Sequence, residues 1–239
     1  MLYLLNIQFS KPQQEGKSDF YYAILWAFLN LFENQNFVYE NIIKLSFSTH
    51  ENLSLSMTIK GEEAYNDIIS YLLKHPWLEL SLQGEKYALQ QLNFRFEIFN
   101  PEKMEFQDFD KFVLRFHSPT FVRQENITYL LPNPDQIFSS LLQKMLPYCP
   151  IEIDEKEFKI WLKQTIYMGE FDLHSKLITI KEGKKAWCVG FCTYYLKNKE
   201  QEEYVKVLYV LLQAVKFFGI GSCVKLGCGN VGCFISSKK

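Results

Sequence analysis

The amino-acid sequence predicts an α+β fold with two tandem ferredoxin-like domains. The first half of the chain has the element order strand, helix, strand, strand, helix, strand, which defines the ferredoxin-like unit. The second half has a related order with one additional helix. The 239 residues are 48 % hydrophobic, which is enough for two cores in domains of about 100 residues each. We place the domains at residues 1–103 and 104–239, with the joint at Asn100–Lys103.

Alternation and helical spacing of apolar residues define the elements of the first half. Leu2–Phe9 alternates weakly, as a strand does. Ser18-Asp19 can cap a helix that begins near Phe20 and carries an apolar stripe as far as Leu31. The remaining predicted elements are strands Ile42–Ser48 and Leu53–Ile59, helix Gly61–Lys74 and strand Tyr87–Phe99.

The second half begins with a predicted strand, Phe112–Phe116, which we expect Ser118-Pro119-Thr120 to end. The elements that follow are helices Pro134–Met145 and Glu155–Tyr167, strands Lys176–Ile180 and Ala186–Tyr195, helix Gln201–Phe218 and strand Val231–Ile235. The strongly periodic last helix leads directly into a glycine-rich segment, which the final strand follows.

Composition excludes several classes of protein. No apolar run reaches the ~18–20 residues that span a bilayer, and the N-terminus lacks the basic flank and cleavage site of a signal peptide. We therefore expect a cytoplasmic protein that does not bind membranes. The six cysteines form no C-x2-C pair and have no nearby histidine, so buried apolar cysteines are favoured over a zinc site. We expect no metal and no cofactor.

The net charge of −1 hides an asymmetry along the chain. Residues 156–239 contain 14 Lys against 7 Asp and Glu, a balance of +7. Residues 1–155 contain 12 Lys and Arg against 20 Asp and Glu, a balance of −8. A polyanionic ligand is therefore expected to bind chiefly along the C-terminal half.

The segment Gly219–Gly229 has the pattern G-h-G-x5-G-h-G, where h is apolar, with Lys225 inside it. Glycines permit positive φ and close approach to a ligand, and successive N–H groups in such a loop can bind an anion. The spacing differs from the dinucleotide fingerprint and from the phosphate loop of nucleotide hydrolases. A glycine-rich turn required only by the fold is the alternative interpretation.

Several motifs of the second half occur together. Phe116–Arg123 contains Ser-Pro-Thr, Leu131–Pro134 leads into a helix, and Gly190–Tyr194 is a glycine-aromatic strand before the last helix and the glycine loop. This arrangement over about residues 110–236 resembles the CRISPR repeat-processing endoribonucleases of the RAMP superfamily, CRISPR-associated protein six. The N-terminal half matches that family only in its order of strands and helices.

The resemblance implies two ferredoxin-like domains that bind CRISPR precursor RNA at its repeat. It also implies metal-independent cleavage, in which a ribose 2′-OH attacks the neighbouring phosphate and leaves a 2′,3′-cyclic phosphate. This reaction needs a base, an acid and positive charge near the phosphorane. Residues expected to bind the RNA are Lys216, Gly219, Gly221, Lys225, Gly227, Gly229 and Arg123.

The chain departs from the family in its catalytic residues. The family commonly uses a histidine in or just after the first helix, and residues 19–44 contain none. The catalytic candidates that remain are Tyr22, Tyr39, Lys44 and His50. A tyrosine with the ordinary pKa near ~10 is a poor base, although a nearby lysine can lower that pKa. The alternatives are helix packing for Tyr22, a position covering the edge of the core for Tyr39, and a solvated surface position for Lys44 and His50.

Three functions remain open at this point. The protein is an active nuclease, a non-catalytic protein that holds the repeat RNA, or a structural subunit of a CRISPR effector complex with effector proteins as its partners. The missing histidine favours the second, and a complete glycine loop fits both of the first two. A homodimer is compatible with apolar helix faces that stay exposed.

Overall fold

A computed structural model describes residues 2–9, 27–32, 35–48, 53–75, 79–82, 85–93, 97, 99–124, 127–149, 151–180 and 183–237. The chain forms two compact units. Unit 1 comprises Met1–Phe99, Ile178–Gly183 and Cys223–Cys228, and unit 2 comprises Asn100–Leu177, Lys184–Ser222 and Gly229–Lys239. The proposed domain limits at residues 103 and 104 stay a prediction.

Unit 1 contains a five-stranded antiparallel sheet with the strand order β2-β3-β1-β5-β4. Its strands are β1 (Leu2–Phe9), β2 (Ile42–Ser48), β3 (Leu53–Lys60), β4 (Glu79–Leu82) and β5 (Glu85–Asn93). Its helices are α1 (Gln35–Asn41) and α2 (Glu62–Lys74), and residues 27–29 are also helical. Without the edge strand β4, this is the strand order of a ferredoxin-like sheet.

The core of unit 1 forms because one face of its sheet and one face of α2 are apolar. Helix α2 buries Ala64, Tyr65, Ile68 and Leu72, which recur at the spacing of helical turns. They pack with the inward side chains of β1, β2 and β3 in a single cluster. The helix ends at His75, whose N–H donates to the Tyr71 carbonyl at 3.1 Å.

Unit 2 contains a four-stranded antiparallel sheet with the order β11-β6-β10-β9 and a separate β7–β8 pair. Its strands are β6 (Phe109–Thr120), β7 (Val122–Gln124), β8 (Ile127–Tyr129), β9 (Ile166–Ile180), β10 (Gly183–Leu196) and β11 (Val231–Ser237). Its helices are α3 (Pro134–Met145), α4 (Glu155–Thr165) and α5 (Glu202–Phe218). The sheet again has the ferredoxin-like order, with one more helix than that plan needs.

Aromatic side chains build the core of unit 2. Phe112 of β6 stacks on Tyr194 of β10 at 5.0 Å and meets Phe138 of α3 edge-on at 5.7 Å. The Tyr194 hydroxyl, which is buried, donates to the Pro132 carbonyl at 2.6 Å. This bond provides the partner that a buried phenol requires.

The fold class predicted from the sequence is confirmed in both units. The predicted strands at the positions of β1, β2, β3 and β11 and the predicted helices at α2, α3 and α5 are also confirmed to within two residues. Most of the helix predicted from Phe20 lies outside the described residues. The predicted strand Tyr87–Phe99 is observed as β5, which begins at Glu85 and ends at Asn93.

Several predicted boundaries in unit 2 differ from the structure. Strand β6 continues through Ser118-Pro119-Thr120 and ends at Thr120 rather than at Phe116, because the pairing of β6 with β10 shifts between Cys188 and Gly190. Such an irregularity tolerates a proline that a regular central ladder would not. The helix predicted to reach Tyr167 ends at Thr165, because the backbone of Ile166 is already extended at φ −102° and ψ 127°. Strand β9 begins there and is 15 residues long, so the strand predicted at Lys176–Ile180 is only its last part.

Three short strands were not predicted from the sequence: β4, β7 and β8. Each has only three or four residues, which is too short for alternation to be recognised. Among the described residues, no helix has the length and apolar character needed to cross a membrane.

Candidate functional site

The stem of the glycine loop is hydrogen-bonded to the end of β6. The Gly229 amide donates to the Pro119 carbonyl and the Ser222 amide to the Phe121 carbonyl, both at 3.0 Å. Within the stem, the Ile220 amide donates to the Gly229 carbonyl at 3.0 Å. The Ser-Pro-Thr motif and the glycine loop are therefore neighbours in space, which explains why they occur together in the sequence.

Two polar side chains reinforce this junction. The Asn230 amide donates to Ser118 Oγ at 2.8 Å, and the Thr120 hydroxyl donates to the Ser118 carbonyl at 2.9 Å. Ser118 and Thr120 are buried, so these bonds satisfy groups that would otherwise be costly to bury. The serine and the threonine of the motif thus support the loop rather than face a ligand.

Gly221 is the position in the stem where only glycine fits. Its φ is +79°, and a Cβ there would collide with the backbone carbonyl of Phe121. The Gly221 carbonyl accepts a hydrogen bond from the Nζ of Lys144 on α3. Lys144 was not predicted as a site residue, since nothing in its helical sequence pattern distinguishes it.

The tip of the loop, Cys223–Cys228, belongs to unit 1. It turns through positive φ at Cys223 (60°) and Gly227 (90°) around a short 3-10 helix, Val224–Leu226. That turn packs against β2, and Leu226 lies against the core of unit 1. The tip is therefore anchored by apolar packing, whereas the stem is anchored by backbone hydrogen bonds.

Lys225 at the tip contacts Tyr39 at the end of α1. Its Nζ donates to the Tyr39 carbonyl at 2.9 Å and lies 4.5 Å from the centroid of the Tyr39 ring. Burial lowers the pKa of Lys225, and the carboxylate of Glu40 acts in the opposite direction. A predicted RNA-binding residue and a predicted catalytic residue, far apart in sequence, are thus brought together.

The other predicted catalytic residues have different positions. Lys44 lies in β2, opposite Thr58 of β3, and is only 4 % exposed. The alternative that Lys44 is a solvated surface residue is therefore wrong. Tyr39 is 40 % exposed, so its ring has one covered side and one open side. Tyr22 and His50 lie outside the described residues.

The remaining predicted RNA-binding side chains are exposed in unit 2. Lys216 lies in the last turn of α5, with its Nζ 5.1 Å from the centroid of the Phe217 ring. Arg123 lies on the short strand β7. A lysine in the last turn of a helix also interacts favourably with the helix dipole, so Lys216 has a structural role besides any contact with a ligand.

Many backbone amides of the loop are already bonded within the chain. Amides that donate to backbone carbonyls are those of Gly219, Ile220, Ser222, Leu226, Gly227, Cys228 and Gly229. An anion at this loop would therefore be bound more by side-chain cations than by a concavity of these amides. The glycines predicted to bind RNA contribute first to the shape of the loop.

Three of the cysteines are buried, Cys188, Cys192 and Cys228, and the other three are half-buried. All six are free, and burial raises the pKa of Cys188 to about 11 and that of Cys233 to about 12. Thiols with such pKa values are not nucleophilic near neutral pH. In the part of the chain that the structure describes, no group of three or more His, Cys, Asp or Glu side chains is placed to hold a metal ion.

The family model described as CRISPR-associated endoribonuclease Cas6 matches residues 114–231. This segment of the chain is of the Cas6 family. The matched segment contains the Ser-Pro-Thr motif, the glycine-aromatic strand and the whole glycine loop, on which the resemblance was based. No curated protein matches the sequence significantly.

Solved Cas6 structures share the whole fold. A Cas6 product complex has a TM-score of 0.78 at 18 % identity, over 98 % of this chain and 100 % of that chain. Thermus thermophilus Cas6 has a TM-score of 0.76 at 17 % identity, over 98 % of each chain. A RAMP protein that binds different RNA substrates has a TM-score of 0.57 at 12 % identity, over 98 % of this chain and 99 % of that chain. At these identities the comparison establishes the fold, so the residue roles depend on this chain's own geometry.

Proposed function

We propose that the protein is a CRISPR repeat-processing endoribonuclease that cleaves precursor RNA without a metal ion. The observation that carries this proposal is the complete Cas6-type loop, whose only lysine, Lys225, contacts Tyr39. Product and substrate-mimic complexes are known among the similar Cas6 structures. The basic balance of residues 156–239 is consistent with a polyanionic substrate.

In the proposed reaction, the ribose 2′-OH attacks the adjacent phosphorus and the 5′ oxygen of the next nucleotide leaves. The products are a 2′,3′-cyclic phosphate and a 5′-OH. The enzyme must hold the in-line geometry, stabilise the extra negative charge on the phosphorane and protonate the leaving oxygen.

Lys225 has the chemistry for the last two tasks. An ammonium has three N–H donors, and the Tyr39 carbonyl takes one of them. The other donors can bind the phosphorane. Because burial lowers the pKa of Lys225, its ammonium is a stronger acid than an ordinary lysine. It is therefore better suited to give a proton to the leaving oxygen.

Tyr39 and Lys44 take supporting roles in this proposal. The exposed side of the Tyr39 ring is available for a ribose or a base next to the cut. Lys44, which is buried in β2, contributes positive charge behind the site rather than a mobile proton donor. Tyr22 and His50 stay candidates for the base on sequence grounds alone.

A non-catalytic RNA-holding protein is the second candidate. The observation that favours it is the absence of histidine from residues 19–44 of the sequence. Of the histidines elsewhere, His75 has its Nδ1 2.8 Å from the Tyr71 carbonyl and its ring stacked on Tyr71, as in a helix cap. Membership of an effector complex as a structural subunit is a weaker alternative.

Incubation of the purified chain with end-labelled repeat RNA from its own array, in EDTA, tests the proposal. The expected result is one cut with a cyclic phosphate end, which a 2′-deoxy nucleotide at the cut site abolishes. Tight binding without cleavage would instead establish the non-catalytic alternative. Failure to bind the repeat RNA at all would contradict both.

A further inference from the structure

The unit 2 sheet has a second face, opposite the face that forms the aromatic core. On β6, Phe112, Leu114 and Phe116 are buried in the core. Successive strand residues point to opposite faces, so Lys111, Val113 and Arg115 point away from that core. Their partners across the ladders are Tyr195, Thr193 and Phe191 on β10, and Ser236, Phe234 and Gly232 on β11.

Several aromatic rings on this face are exposed. Tyr167 of β9 is 51 % exposed and stacks on Tyr195 with ring centroids 5.4 Å apart and planes 17° apart. Phe171, four residues further along β9, is 59 % exposed, and Phe234 of β11 is 56 % exposed. Single exposed aromatic residues are ordinary, but several on one face indicate a binding surface.

Two glycines make room for these rings. A Cβ at Gly169 would collide with the edge of the Tyr195 ring. A Cβ at Gly232 would come within 2.9 Å of His117 Nε2 and 3.4 Å of the Phe234 ring. Because these two positions have no side chain, the neighbouring rings can lie along the sheet.

Cations accompany the rings. The Nζ of Lys111 lies 5.3 Å from the centroid of the Tyr195 ring, and Arg115 is exposed between Phe191 and Gly232 in register. The acidic residues in the described parts of these four strands are Asp110, Glu170 and Asp172, all at positions of the opposite parity. Asp110 is also paired with Lys199. The face is therefore aromatic and basic, which complements a nucleic acid rather than a protein of mixed charge.

We propose that this aromatic face, formed by Lys111, Arg115, Tyr167, Phe171, Tyr195 and Phe234, stacks unpaired bases of single-stranded RNA. Aromatic rings stack on bases of any sequence while neighbouring cations bind the phosphates. The site differs in residues and chemistry from the glycine loop. Its natural ligand rests on the proposed function, because the RNA it would bind is the unpaired part of the repeat transcript.

Fluorescence anisotropy with two short RNAs tests this directly on the full chain. One probe is an oligoadenylate of about eight nucleotides, and the other is an abasic oligoribonucleotide of the same length and charge. Tyr167→Leu removes the exposed ring, so we expect about tenfold weaker binding of oligoadenylate. Binding of the abasic probe should stay unchanged, because it has no bases to stack. Tyr167→Phe keeps the ring and should bind oligoadenylate like the wild type.

The matched control is Tyr148→Leu. Tyr148 is also an exposed tyrosine of unit 2, but it contacts Phe218 of α5 on the helical side. Its replacement should leave binding of both probes unchanged. Circular dichroism of each variant verifies that the fold is retained.

Two outcomes would overturn the inference. Equal oligoadenylate affinity of wild type and Tyr167→Leu would show that no base stacks on the ring. Loss of self-association in Tyr167→Leu, with unchanged RNA binding, would assign the face to a second copy of the chain. If either outcome is found and the wild type still cleaves repeat RNA, the proposed function holds and this site is rejected. If oligoadenylate binding depends on Tyr167 but repeat RNA is not cleaved, this site holds and the nuclease activity is rejected.

Discussion

The stem and the tip of the glycine loop are consecutive in sequence but are held by different kinds of contact. Backbone hydrogen bonds fix the stem to Pro119 and Phe121 at the end of β6. Side chains fix the tip, where Leu226 packs on an apolar core and Lys225 bonds to Tyr39. The glycines of this motif therefore shape the loop, whereas its single lysine both anchors the tip and carries N–H donors that can serve chemistry.

The largest expected effect is on the stability of the stem. Gly221→Ala places a Cβ against the Phe121 carbonyl at a φ of +79°, so we expect the free energy of unfolding to fall by about 3 kcal/mol. Urea denaturation measures it. Gly61→Ala is the matched control, because Gly61 has a φ of +82° with no atom near its Cβ position. It should lose less than Gly221→Ala, because at φ +82° and ψ 148° Gly61 carries the backbone strain without the clash. Equal losses would mean that strain alone, and not the clash, makes the stem dependent on glycine.

At the tip we expect a large effect on activity and a small effect on stability. Lys225→Ala is expected to lower the rate of repeat cleavage at saturating RNA by more than about tenfold, because the phosphorane loses its cation and the leaving oxygen its acid. Stability should fall by only about 1 kcal/mol, the net value of one hydrogen bond. Lys225→Arg should restore RNA binding but not the rate, since a guanidinium is a poor proton donor.

Lys206→Ala is the control for Lys225→Ala. Lys206 is an exposed lysine of α5, 3.9 Å from Glu202, and its removal lowers the net charge equally. Single-turnover cleavage and filter binding of the same RNA separate rate from affinity. A Lys225→Ala variant that cleaves at the wild-type rate would place the tip in the same structural role as the stem.

The smallest effect concerns pH. Since burial lowers the pKa of Lys225, the folded protein loses this proton at a lower pH than the unfolded chain does. Between those two pKa values the unfolded state binds more protons, so this lysine makes stability rise with pH. The cost of burying its charge is fully present below the folded pKa and is relieved as the pH approaches the ordinary lysine value.

We therefore expect wild type to gain stability relative to Lys225→Met between about pH 8 and about pH 10. Urea denaturation at both values measures the difference, and Lys206→Met should track the wild type. A difference that shrinks as pH rises would mean that the contact with Tyr39 raises the lysine's affinity for its proton more than burial lowers it.

Elements whose apolar residues recur at a regular local spacing could be predicted from the sequence. Strand β1 alternates between buried and half-buried residues from Tyr3 onward, and helix α2 buries residues at helical spacing, so their patterns predict them. The loop and the Ser-Pro-Thr motif were also recognisable, because each needs particular residue types in order. The fold class followed from the order of these elements.

Contacts between distant residues were not predictable. Nothing near Tyr39 indicates that Lys225 bonds to it, because the two residues are 186 positions apart in the sequence. The burial of Lys44 was missed since a lysine in a strand is usually solvated. The continuation of β6 through Pro119 was not predictable, because the irregular pairing that accommodates the proline involves Cys188 and Gly190, far along the chain.

The membership of Cys223–Cys228 in unit 1 has a consequence for dissecting the protein. A fragment that ends at Phe99 contains every strand of the first sheet but lacks Leu226, which covers part of its core. Such a fragment would expose apolar surface that the intact chain covers, and would be prone to aggregation. Supplying residues 219–230 as a separate peptide should restore its solubility, because the peptide returns Leu226 to the core that it covers in the intact chain.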